Sequence, residues 1–189
     1  MQQVFKAIDW LQVPDTTWLS PFLNAKDVNS GLDSELLGAF SLAMGMIRPG
    51  QPSAVHVHPL STQVTMVLEG TLDIRMRDPS REPYTVHLGP DQAALVEPGT
   101  FLQLVNPGDA TSRMLYVVGP AYVFEQRGEE VVYDDSIALS QEWDEIADGS
   151  PEWLGDVWRE RSGFAGVEEM RAAREAALAR LEGAQSAST

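Results

Sequence analysis

The chain has 189 residues, a formal net charge of −15 and no cysteine, a size that suits one main core with extensions and a composition that excludes disulfides and thiolate metal sites. The acidic balance argues against a grip on a nucleic-acid backbone, which needs clustered Lys and Arg. No apolar run approaches the ~18 residues of a membrane helix, and no basic-then-apolar leader begins at Met1, so the expectation is a cytoplasmic protein without membrane partners.

Residues 1–38 read as an ordered extension: Phe5, Trp10, Trp18 and Phe22 are large aromatics that water disfavours, and Val13-Pro14-Asp15 and Asn29-Ser30-Gly31 are turn formers. From 39 to 124 short β-type runs alternate with Pro and Gly turns. Residues 39–47 are apolar on both parities. Residues 63–68 follow, and over 71–77 Leu72, Ile74 and Met76 face a core while Asp73, Arg75 and Arg77 face solvent. Residues 84–88, 92–96, 101–105 and 113–118 supply further strands, a spacing that fits an all-β sandwich or barrel.

Beyond about residue 126 the pattern turns helical. Ser140 and Ser150-Pro151-Glu152 mark the starts of two short helices. Val167, Met170, Ala173, Ala177 and Leu181 define an amphipathic helix over 167–181, and Ala184 to Thr189 should fray. Trp143, Trp153 and Trp158 would pin these helices to the barrel or to a second subunit, while Glu168, Arg171, Arg174 and Glu175 read as an exposed helix face.

The most informative residues are His56-Val57-His58, because positions i and i+2 on a strand send both imidazoles to one side. From Gly50 to Gly70 the chain reads G-x5-H-x-H-x4-Q-x6-G, and Gly89, Glu97-Pro98-Gly99, Leu102 and Asn106 follow. These residues resemble the two motifs of the cupin family, with Gln63 for the glutamate of the first motif and, in the second, Glu97 for a proline and Leu102 for the histidine. The resemblance covers about residues 39–124. It implies a mainly β fold: a single cupin double-stranded β-helix (jelly-roll) barrel over 39–124, with an N-terminal extension (1–38) and C-terminal α-helices (125–189). It also implies one divalent metal ion (Fe, Mn, Ni, Zn or Cu) held inside the barrel by His56, His58 and the amide oxygen of Gln63, and a homodimer.

The two departures remove a charge and an imidazole from that site, so two readings stand side by side. One is a metal-dependent enzyme acting on a small hydrophobic or aromatic molecule, either a dioxygenase-type oxidoreductase or a Lewis-acid isomerase, cyclase or lyase. The other is a non-catalytic small-molecule-binding or regulatory cupin whose metal site is degenerate. A third, metal-free epimerase or isomerase work on a sugar nucleotide, requires a histidine paired with an acid. Met46, Thr65, Leu102 and Leu104 are the expected walls of an apolar pocket, and Arg48 is placed at its mouth to meet a substrate carboxylate. His87 reads as outward and solvated and Glu97 as a turn residue, each also a candidate to replace the missing ligand. No catalytic acid or base is identifiable.

Overall fold

The computed structural model describes residues 9–23 and 39–186; Phe5, the turn at Asn29–Gly31 and residues 187–189 lie outside them. Six strands form one antiparallel sheet in the order β1 (Leu11–Gln12), β2 (Trp18–Leu23), β3 (Ser41–Ile47), β10 (Ser112–Gly119), β5 (Thr62–Glu69) and β8 (Ala93–Val96). A second sheet runs β13 (Ile137–Ser140), β4 (Val55–Val57), β9 (Phe101–Val105), β6 (Leu72–Arg77) and β7 (Tyr84–Leu88). The strands β11 (Phe124–Arg127) and β12 (Glu130–Asp134) pair as a hairpin, and α1 (Trp143–Asp148), α2 (Pro151–Ser162) and α3 (Val167–Ser186) follow.

Strand alternation decides what faces inward. Ile47, Val67, Leu72, Ile74, Met76, Leu102, Leu104, Met114 and Tyr116 meet between the two sheets. Val55, Val57 and Phe101, of opposite parity on β4 and β9, point away from that core and pack under Ile146, Leu154, Met170 and Ala177 of the helices. The helices therefore cover part of the outer face of this sheet, and the expectation of a solvent face on β6 is corrected at Arg77 while Asp73 and Arg75 stay half-buried. Arg77 is buried and donates to the carbonyls of Ala147, at 2.9 Å, and Ile146, left over at the end of α1, and Arg75 donates to Gln103 Oε1.

The sheets extend past residues 39–124 on both sides, since β1 and β2 join through β3, and β13 pairs with β4. Three strands thus precede the helices in a stretch expected to be helical from about 126. The period-2 signal there is short and carries charged residues on its exposed side, so it reads weakly against the helix caps behind it. Ser150 caps α2 by accepting from Trp153 N, with Pro151 at the first helical position, as its sequence predicts. Ser140 instead lies ahead of α1, where it accepts from Glu142 N and donates to Glu145. The helix predicted over 167–181 continues to Ser186. Arg174 leaves the expected exposed face and pairs with fully buried Asp135 at 3.2 Å. Trp143 and Trp158 do pack against the second core, whereas Trp153 is exposed.

Two motif residues have structural roles. Gly70 turns β5 into β6 with φ +80°, and a Cβ there would meet Ser112 Oγ at 2.7 Å, so only glycine satisfies both demands. Asn106 donates to the carbonyls of Ile47 and Ala110 and accepts from Gly108 N, which closes the turn after β9.

Candidate functional site

The histidine pair sits where β4 ends. His56 is opposite Leu102 in the ladder and buried, so both face the barrel interior. Its Nδ1 contacts the carbonyl of Ala54 at 3.0 Å, which fixes the ring and turns Nε2 toward Asp15 Oδ2 at 3.5 Å. The ring of His58 stands nearly perpendicular to that of His56, centroids 5.2 Å apart, and edge-on to Tyr122 at 6.0 Å. Burial pushes the His58 imidazole down to about 3, with His56 adding to the effect, so His58 is neutral at physiological pH. His58 Nδ1 is buried without a hydrogen-bond partner among the described residues.

Asp15 is the site residue that sequence reasoning missed. It occupies the turn between β1 and β2, where its Oδ1 accepts from Thr17 N and Thr17 Oγ1 and its backbone carbonyl accepts from Ala54 N at 2.7 Å. The only signal was the turn composition Val13-Pro14-Asp15, which says nothing about the histidines far along the chain. Gln63 is buried on β5, and its amide Nε2 donates to Thr65 Oγ1 at 3.1 Å, leaving the amide oxygen as an acceptor.

Asp15, His58 and Gln63 border a cavity of about 410 Å³, inside the ~300–1,000 Å³ range of small-molecule sites. His58, Gln63 and Asp15 lie on its wall with Leu19, Leu23, Ala43, Leu104, Tyr116, Val118, Tyr122 and Phe124. Tyr116 packs against Gly45, where a Cβ would stand 2.1 Å from its ring, and its hydroxyl is buried without a partner among the described residues. Burial pushes that phenol up, and Asp15 adds to the shift. Tyr122 donates to Asp134. Burial raises the Asp134 carboxyl to about 6 against the hydrogen bonds from Tyr122 and Ser136.

Of the expected pocket walls, Leu104 lines the cavity, while Thr65 and Leu102 are fully buried beneath it. Met46 and Arg48 are elsewhere. Inward positions on β3 are Ser41, Ala43 and Ile47, so alternation sends Met44 and Met46 to the outer face. Arg48 is exposed with its guanidinium 5.9 Å from the Trp18 ring, far from any role as a carboxylate clamp. His87 is outward and holds Asp73 at 2.8 Å, and Glu97 is exposed on its turn, so neither fills the place of a missing ligand.

The donor set does not fit the four-ligand metal centre that the motifs imply. His56 Nε2 is turned to Asp15, Gln63 offers one neutral oxygen, and Leu102 fills the fourth place with an aliphatic side chain. Among the described residues no three His, Asp or Glu side chains converge as a metal-ligand cluster.

Residues 43–118 match the family model described as Cupin domain. No curated protein matches the chain. Among solved structures, recombinant oxalate oxidase in complex with glycolate superposes with a TM-score of 0.48 at 18% identity, over 57% of this chain and 53% of that one. The Drosophila melanogaster CENP-C domain gives 0.49 at 13%, over 61% and 77%. An uncharacterized conserved protein with a double-stranded β-helix domain from Klebsiella pneumoniae gives 0.40 at 24%, over 44% and 66%. The chain spans 31% of the CapF structure it matches and about half of oxalate oxidase. No helix of the described residues is long and apolar enough to cross a membrane.

Proposed function

Residues 43–118 are a cupin domain, and on that premise we propose that its barrel binds a small, chiefly apolar organic molecule without the help of a metal ion. The observation that carries this reading is the cavity of about 410 Å³, chiefly apolar along its walls, whose lining residues include His58 and Tyr116, with His58 Nδ1 and Tyr116 Oη buried without a partner among the described residues. Buried polar atoms without partners cost about 1–3 kcal/mol each, and a ligand that hydrogen-bonds them recovers that cost as affinity. The metal-dependent dioxygenase and Lewis-acid readings need a ligand set that Gln63 and Leu102 do not supply. A sugar nucleotide is a poor fit, because no Lys or Arg among the described residues lines the cavity to meet its phosphates. The pairing of His56 with Asp15 does not change this, since His56 itself is not part of the wall.

Isothermal titration with the neutral probe 2-phenylethanol tests the proposal. Saturable binding is expected for the native chain and is lost in Ala43→Trp, which fills the cavity, with the unfolding temperature of the variant confirming its fold. A native chain that does not bind, or binding that Ala43→Trp leaves intact, overturns it.

The homodimer also belongs to this proposal. The outer face of the six-stranded sheet carries Leu42, Met44 and Met46 on β3, Val64 and Met66 on β5, and Leu115 and Val117 on β10, adjacent across the ladders. A flat face with this much apolar surface is suited to a second copy. Light scattering should give twice the chain mass, and Met44→Glu should return it to one chain; a monomeric native chain sinks the dimer.

A further inference from the structure

Two of the residues that line the cavity, Gln63 and Asp15, bring side-chain acceptors. Gln63 donates from its amide nitrogen to Thr65, and its amide oxygen is an acceptor. Asp15 contributes a carboxylate with a side-chain exposure of 13%; its Oδ1 accepts from Thr17 and its Oδ2 lies 3.5 Å from His56 Nε2, which is not part of the cavity wall. No Lys or Arg stands among the lining residues, and Arg48, the cation expected at the mouth, lies outside over Trp18. Three aromatic rings, Tyr116, Tyr122 and Phe124, line the same space. The chain as a whole carries −15. A carboxylate or phosphate ligand would meet Asp15 with no Lys or Arg on the cavity wall to offset it, under a repulsive field, whereas a protonated amine would meet a counter-charge, neutral acceptors and ring faces, each of which favours it.

We propose that the ligand of this cavity is an apolar amine, bound as its ammonium ion with the charged group against Asp15 Oδ2 and Gln63 Oε1 and the apolar body along Leu19, Leu104 and Tyr116. This rests on the cavity-binding reading above and assigns its ligand class. Arg48 then has no part in recognition, and Asp15 becomes the residue that determines specificity.

Three probes of nearly equal shape separate the possibilities: 2-phenylethylamine, 2-phenylethanol and phenylacetate, titrated calorimetrically into the full chain at neutral pH. The amine should bind at least about tenfold more tightly than the alcohol, which corresponds to about 1.4 kcal/mol, and phenylacetate should bind most weakly. Asp15→Asn should remove the preference for the amine over the alcohol, bringing the two affinities together. Raising the ionic strength with the native chain should weaken the amine alone, a measurement that stands even if the variant fails to fold. Alcohol binding with no preference for the amine, or phenylacetate binding as tightly as the amine, overturns the amine assignment and leaves the cavity reading intact. No binding by any of the three overturns both.

Discussion

Asp15 and His56 hold each other through a closed circuit: Asp15 Oδ2 lies 3.5 Å from His56 Nε2, His56 Nδ1 meets the carbonyl of Ala54, and Ala54 N donates to the carbonyl of Asp15. The circuit ties the β1–β2 turn to the strand that carries the histidine pair. It adds to the β2–β3 ladder that joins the extension to the barrel.

Breaking that circuit should loosen the extension before the barrel. Asp15→Ala leaves His56 Nε2 unpartnered in a buried place, and its expected cost is about 1–3 kcal/mol in urea denaturation. Backbone amides of β1 and β2 should exchange hydrogen faster while those of β5 and β10 do not change. Equal acceleration throughout the barrel would count against the circuit as a local clasp.

Acid should destabilise the protein through His58. Its folded pKa, about 3, lies below the unfolded value of 6.5, so the unfolded chain binds a proton first and stability falls as pH drops from about 6.5 toward 3. Asp134 has the opposite sign. Its folded value, about 6, lies above 3.8, so its contribution is full below pH 3.8 and fades as pH rises through 6, by a few kcal/mol at most. Between about pH 4 and 6 the two slopes nearly cancel, so the net acid loss from His58 falls mainly between about pH 6.5 and 6 and below about 3.8. His58→Asn should flatten the acid-side loss and Asp134→Asn should steepen it, as followed by urea midpoints against pH; two variants with parallel profiles would refute this assignment.

Gly45→Ala should cost stability and reshape the cavity together. The added methyl would stand 2.1 Å from the Tyr116 ring, so the ring must swing or β3 must shift, at roughly 1–3 kcal/mol. Gly45→Ala combined with Tyr116→Ala should be less destabilising than the two single changes added. Strict additivity in the double-mutant cycle would show that the ring does not rest on the glycine.

Metal dependence is directly measurable. The protein purified without added metal should contain far less than one equivalent of Fe, Mn, Ni, Zn or Cu by elemental analysis, and a chelator should leave its unfolding temperature unchanged. Installing the missing chemistry with Gln63→Glu and Leu102→His should raise bound metal toward stoichiometry. Stoichiometric metal in the native chain, lost in His56→Ala, would overturn the metal-free reading in favour of the metal-dependent one.

The barrel was legible because its evidence is local. Gly50, Gly70 and Gly99 mark turns, the alternation of Leu72, Ile74 and Met76 names a core face, and the strands at 84–88 and 101–105 stand within a residue of where their patterns end. Arg77 and Arg174 were misread for a related reason: a charged residue on an amphipathic pattern predicts solvent unless a later element covers it, and α1 and α3 arrive from far along the chain.

The candidate site divides along the same line. The spacing of His56 and His58 places both imidazoles on one side of a strand, and the resemblance to the cupin motifs points that side into a barrel and marks Gln63 and Leu102 as the replaced carboxylate and imidazole. It took the folded chain to bring Asp15 to His56, to turn Arg48 and Met46 outward, and to place Tyr116 and Tyr122 on the cavity wall. Those contacts join β1, β3, β4 and β10 across the fold, and no spacing along the chain encodes which acid a closing sheet will bring to which histidine.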